Sequence, residues 1–466
     1  MSRRPRTAYK GLRRSPISTA VVALLVAWAG ASAPSAFAAT APTPPETYVK
    51  KAACVSEGVP PTTVQNGVSW AQRLLLYTEA WKFSRGDGVK VAVIDTGVTA
   101  GPAFGARLHG LADLVQSGDT TVPAGLDDCD GHGTLVAGLI AAAPDAQSGF
   151  TGVAPDATLL SIRQSSERFA RPSDNGGSDS SGAGTPASLA AAIRYAVTNG
   201  AQVINISEAD CGPAGTVDSP DLSGAVQAAI AANVVIVVSA GNLDSTAACS
   251  HQNTPGKPAV TAATPADLPG VLAVGAIAED GSAASFSIAG PWVGVAGPGT
   301  NITATNPFRG GHGQVNQITT ESGTGSIQGT SFSAPYVAGV AALVRARFPH
   351  LTAAQVIHRI ELTASHPAAP NGRNDYVGYG MVNPVAAVTA VLPEESGGTA
   401  APTRATSLPV LPSATGSDHG RQVALRASLI TLTLLIAFAV TAQTRRTRSR
   451  AASERAKGHD PDPVHP

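Results

Sequence analysis

Val91-Ala92-Val93-Ile94-Asp95-Thr96-Gly97-Val98 decides the fold class. An apolar, β-branched run without polar alternation is what a strand buried on both faces requires, and such strands belong to parallel sheets covered by helices. The run carries an acid at its end, placing a carboxylate at the carboxyl edge of the sheet, where open α/β folds gather their functional groups. Downstream, Asp130-Gly131-His132-Gly133-Thr134 opens a small-residue helix predicted over 135–143. Further on, Gly329-Thr330-Ser331-Phe332-Ser333-Ala334-Pro335 leads from a glycine turn into a helical run predicted over 336–348. The Ser331 hydroxyl then stands at a helix N-terminus, where free N–H groups and the dipole favour developing negative charge. A serine in that place is commonly only an N-cap. It becomes a nucleophile when a base can take its proton and a third group holds the base. His132 and Asp95 are the residue types for both tasks.

The intervening chain alternates in the βαβ manner. Strands are predicted over 158–162, 203–206, 234–238 and 271–277, and helices over 187–198 and 222–232. This predicts an α/β fold of three layers with a mainly parallel central sheet. The segment 165–185, rich in Ser, Gly, Asp and Pro, is expected to be a surface loop. It is a solvated insertion, or else a rim element near a substrate cleft or a processing site.

The order Asp95, His132, Ser331 and the stretch Ser239-Ala240-Gly241-Asn242 at the end of the 234–238 strand resemble the subtilisin-like serine proteases, over roughly residues 67–392. The resemblance implies that Asp95, His132 and Ser331 form a catalytic triad and that Asn242 contributes to an oxyanion hole. It also implies that Ser207, Glu208 and Ala209 on one side, and Ser239, Ala240 and Gly241 on the other, flank the substrate pocket. The chain departs from the degradative members at Glu208 and Ala209, where an apolar residue and a glycine are common. Glu208 is expected to point to solvent. No cofactor is expected. No acidic run has the spacing of an EF-hand loop, so no metal site is assigned.

A hydrophobic content of 43% suffices for a core in one large domain, and a formal net charge of zero gives no reason to expect a nucleic-acid partner. Arg3, Arg4, Arg6, Lys10, Arg13 and Arg14, an apolar segment over 17–29 and Ala36-Phe37-Ala38 describe a secretory signal over 1–38, with an uncleaved signal anchor as the alternative. Export makes the four cysteines legible as disulfides. Four cysteines allow three connectivities. Cys54 with Cys129 and Cys211 with Cys249 are favoured, because Cys211 and Cys249 each follow a core strand and the first pair would staple the N-terminal extension beside His132.

The extension, 39–80, is too short for a folded autoinhibitory pro-domain, and Tyr48 and Trp70 are expected to pack it along the catalytic domain, 81–392. A Pro/Ser/Thr-rich linker follows over 393–421. Residues 422–443 supply about the twenty residues that a bilayer span needs. Arg445, Arg446, Arg448 and Arg450 open a basic tail over 444–466, which the positive-inside rule places in the cytoplasm, with the protease outside the cell membrane.

This layout, together with Val203-Ile204-Asn205-Ile206-Ser207 followed by Cys211, resembles the mycosins, the membrane-anchored subtilisin-like proteases of type VII secretion systems. That resemblance implies association with a secretion membrane complex and cleavage of selected secreted substrates. The alternative it leaves open is a mainly structural component of that complex, with proteolysis secondary.

Overall fold

The strand Lys90–Asp95 lies inside a seven-stranded sheet whose order is Val293–Pro298, Leu272–Ile277, Val235–Ser239, Val203–Ile206, Lys90–Asp95, Thr158–Arg163 and Leu108–Asp113. Every adjacent pair is parallel. Side chains alternate across a strand, so one run feeds two cores. Val91 and Val93 face one core with Val203, Val235 and Val237, whereas Ala92 and Ile94 face the other with Ile204, Ile206 and Ile236. Helices Pro186–Thr198 and Pro220–Ala231 cover the second face through Leu189, Ile193 and Val226. Helices His132–Ala141, Thr330–Arg347 and Ala353–Leu362 cover the first.

This computed structural model describes residues 40–396 apart from 56, 61–67, 117–120, 173–181, 217–218, 244–248 and 321–322. The expected signal segment 1–38, the expected membrane span 422–443 and basic tail 444–466, most of the expected linker 393–421 and the middle of the 165–185 segment lie outside the described residues. Among the described residues no helix is long and apolar enough to cross a membrane.

Several expected elements have different bounds, among them the helix expected over 135–143, which is His132–Ala141. The 91–98 run is a strand only as far as Asp95. Gly97 then turns with φ +104°, and a Cβ there would sit 2.2 Å from the Asp127 carbonyl oxygen, so the chain leaves the sheet at the one residue that fits. The helix expected over 336–348 begins earlier, at Thr330, and runs through Pro335.

The extension packs along the domain by three devices. Val49–Lys50 pairs antiparallel with Phe169–Ala170, and Tyr48 is buried with Val115, Cys129 and Phe169. Glu57–Val59 pairs antiparallel with the strand Gln317–Thr320. Two short helices, Trp70–Leu75 and Tyr77–Ala80, follow, with Leu76 at φ 50° between them. Trp70 donates its indole N–H to the Thr300 carbonyl at 3.0 Å, and Tyr77 its hydroxyl to the Thr151 carbonyl at 2.8 Å. Each aromatic thus buries its ring and satisfies its polar end.

At the other end, Arg359 is 1% exposed and donates to Glu395 Oε1 at 2.7 Å and to the carbonyls of Ala387 and Ala390 at 2.9 and 3.0 Å. Its guanidinium also stacks 4.2 Å over Phe348. Glu395, inside the expected linker, is therefore held to the domain.

Candidate active site

Asp95 ends its strand with its side chain fully buried. Its Oδ1 accepts from the Thr96 backbone N–H at 2.8 Å and lies 2.7 Å from His132 Nδ1. His132 is the first residue of its helix, and that start is built around Asp128. Asp128 accepts from Gly131 N–H, Thr134 N–H and the Thr96 hydroxyl, each at 2.8 Å, and from the Thr134 hydroxyl at 2.5 Å. Thr96 also accepts from Gly133 N–H at 2.9 Å. The N–H groups of Gly131, Gly133 and Thr134 at the first turn are thereby satisfied, which fixes the helix start that presents the imidazole to Asp95. Asp128 is pushed up to about 6, first by burial, against the opposing Thr134 hydroxyl bond.

Ser331 lies in the first turn of Thr330–Arg347. Pro335 has no N–H to give to the carbonyl four residues earlier, which is that of Ser331. The Ser207 hydroxyl donates to this carbonyl instead, at 2.9 Å, and is itself held by Asn205 Nδ2 at 2.9 Å. One proline thus ties the segment after Val203–Ile206 to the start of the serine helix. On the other side, Asn242 Oδ1 accepts from the Thr330 N–H at 2.9 Å and the Thr330 hydroxyl at 3.0 Å. With its oxygen so engaged, the amide presents its Nδ2 donors to the cleft.

Gly329 makes room between these groups. Its φ is +145°, and a Cβ there would lie 3.0 Å from Ser331 Oγ and 3.5 Å from Asn242 Nδ2. The His132 and Phe332 rings lie 4.9 Å apart, centroid to centroid, across the same helix start.

His132, Ser331 and Asn242 line one cleft of about 530 Å³, together with Ser207, Glu208, Ala209, Ser239 and Gly241. Ala240 is fully buried behind the wall and does not line it. Glu208 corrects its sequence reading: it is partly buried in the cleft wall rather than turned to solvent, because the Ser207–Ser331 tie draws its segment against the triad. Burial, then the Asp95 charge, holds its carboxyl above the usual range. Burial pulls His132 down, but the facing Asp95 carboxylate outweighs it, so the imidazole is held above 6.5.

The sequence reading missed Thr96, Asp128, Asn205, Thr330 and Pro335 as site-builders. Pro335 alone carried a usable signal, since a proline four residues after the candidate nucleophile leaves that residue's carbonyl in need of an outside donor.

Both disulfides form as favoured, Cys54 with Cys129 and Cys211 with Cys249, and there are no free cysteines. Cys129 precedes the loop that delivers His132, and its carbonyl accepts from Val55 N–H at 2.9 Å. Cys211 belongs to Asp210–Pro213, which pairs antiparallel with Thr261–Thr264, and both Cys211 and Cys249 border the cleft.

A parallel sheet with an acid, an imidazole, an alcohol and an amide gathered at its carboxyl edge defines a serine endopeptidase of the subtilase family, to which the chain belongs, with the family profile matching residues 86–380. Within that family it is similar to the mycosins. Mycosin-4 of Mycobacterium tuberculosis (strain ATCC 25618 / H37Rv) is 44% identical over 362 residues, covering 75% of each chain. The solved MycP3 protease from the type VII (ESX-3) secretion system matches with a TM-score of 0.67 and 41% identity, covering 75% of this chain and 95% of that one. A chain of an intact ESX-5 inner membrane complex matches with a TM-score of 0.67 and 36% identity, over 87% of this chain and 96% of that one.

Proposed function

We propose that the chain is a membrane-anchored, extracytoplasmic serine endopeptidase that works with a type VII secretion complex and cleaves selected secreted substrates. The observation that carries the chemistry is the 2.7 Å Asp95–His132 bond at the edge of the cleft that holds Ser331 and Asn242. Ser331 attacks the peptide carbonyl while His132 takes the hydroxyl proton and returns it to the leaving amine. Asp95 fixes the imidazole tautomer and stabilises its positive charge. Asn242 Nδ2 and the Ser331 backbone N–H hold the oxyanion. Ser207, Glu208, Ala209, Ser239 and Gly241 form the walls that receive the substrate, with Ala240 packed behind them. The signal segment, the 422–443 span and the basic tail put this cleft outside the membrane.

The secretion role is supported by similarity to the MycP3 protease and to the chain within the ESX-5 inner membrane complex. Comparative proteomics of culture fluid and envelope from cells carrying the parent or Ser331→Ala tests the proposal. Uncleaved forms of specific secreted proteins are expected with the variant, and identical protein sets would overturn it. The ESX-5 match also favours a second reading, a structural part in the complex, which predicts that Ser331→Ala restores secretion to a deletion strain.

A further inference from the structure

Glu208 follows Ser207, the residue whose hydroxyl is anchored on the Ser331 carbonyl, so its backbone is fixed relative to the triad. A carboxylate oxygen of Glu208, a ring nitrogen of His132 and a carboxylate oxygen of Asp95 all lie within 4.8 Å of one another. Resting on the peptidase reading above, we infer that Glu208 is a positioning residue, a second carboxylate that, with Asp95, holds the His132 ring in the charged state it adopts when Ser331 surrenders its proton.

The charges around the ring support this assignment. Asp95 Oδ1 takes both donors, the imidazole and the Thr96 N–H, while its buried Oδ2 accepts none. Two carboxylates this close repel unless a cation lies between them, and imidazolium is that cation. Other charged groups face the pair from neighbouring segments: Asp128 and Asp130 from the loop before the His132 helix, and Glu167 and Arg168 from the segment after Thr158–Arg163, with Arg168 lying 4.0 Å from Asp130. From the Ser331 helix the uncharged Phe332 ring faces the imidazole. Asp128 is already occupied by four donors, whereas Glu208 borders the open cleft. Burial lowers His132, and Asp95, Glu208 and Asp128 raise it; burial and Asp95 raise Glu208, and His132 lowers it. Each group thus favours the charged form of the other. An apolar side chain at this position would give the ring one carboxylate instead of two.

The test is the rate at which a small alkyl fluorophosphonate, which needs no peptide-binding contacts, modifies Ser331 in the full-length protein across a pH series. For the parent, the rate is expected to rise with pH as His132 loses its proton. Glu208→Gln should move that limb to lower pH by about one unit and lower the plateau several-fold. Glu208→Asp, which keeps the charge on a shorter arm, should leave the limb near the parent's. If thermal unfolding shows that the glutamine variant does not fold, Glu208→Ala supplies the same loss of charge. A Glu208→Gln limb that superimposes on the parent's overturns the inference and leaves the peptidase reading standing. So does a Glu208→Asp limb displaced as far as the glutamine variant's, since packing rather than charge would then be at work. A parent that is not modified at Ser331 overturns both.

Discussion

The Ser331 helix and the N-terminal extension are held to the same domain by opposite means. Thr330–Arg347 is buried from Thr330 through Arg345, small residue against small residue, and its core-facing length is what fixes the nucleophile. The leading part of the extension, Tyr48 to Val59, meets the domain through the exposed two-residue pair Val49–Lys50, the side chain of Tyr48, the pairing of Glu57–Val59 with Gln317–Thr320 and the Cys54–Cys129 bond, and only the trailing helices reach the main core, through Trp70, Leu75 and Tyr77. A segment with little surface to bury gains its place from pairing and a cross-link, whereas a central helix needs neither. Chemistry and attachment should therefore separate under mutation.

The largest effect belongs to the helix. Ser331→Ala is expected to lower the rate of peptide cleavage on the order of 10⁶-fold, with thermal unfolding close to the parent's. A variant that kept its rate would remove the comparison. Asn242→Ala should reduce kcat by about 10²–10³ with a much smaller change in KM, because its Nδ2 donors act on charge that develops only in the transition state. A loss confined to KM would reassign Asn242 to substrate binding.

On the extension side, replacing Cys54 and Cys129 together by serine should cost about 2–4 kcal/mol of stability, read by chemical denaturation. The pH limb of Ser331 reactivity should stay in place. A displaced limb would mean that the extension helps to position His132. Ser207→Ala lies between the two regions: it leaves the Ser331 carbonyl without its donor and should cost about 1–3 kcal/mol. Asn242→Ala and Ser207→Ala together show whether the two ties at the helix start are independent.

The smallest effect is in pH. A base must be neutral to accept a proton, and Asp95 holds the His132 proton more tightly than water does, so kcat/KM should rise through a limb above 6.5. A limb below that value would mean that burial, not the carboxylates, dominates at the ring.

Five of the seven strands of the parallel sheet and the four principal side chains were legible in the sequence because each rests on a local rule, whereas the two edge strands, Leu108–Asp113 and Val293–Pro298, were not read. Val91 to Ile94 is apolar on both faces, and His132 and Ser331 follow glycines that open small-residue helices. What stayed hidden depends on contacts between distant segments. That Thr330 fixes the Asn242 amide, that Asp128 caps the His132 helix through four donors, and that Glu208 turns inward all depend on segments brought together by folding. The early start of the serine helix was hidden for a different reason. Pro335 reads as a breaker in isolation, but the carbonyl it leaves free is satisfied by Ser207.

The most direct test of one catalytic unit built on Asp95, His132 and Ser331 is peptide mapping of the protein after treatment with a fluorophosphonate. The account predicts a single adduct, on Ser331, that is lost when His132 is replaced by alanine. An adduct on another residue, or one on Ser331 that forms equally fast without the imidazole, would contradict it.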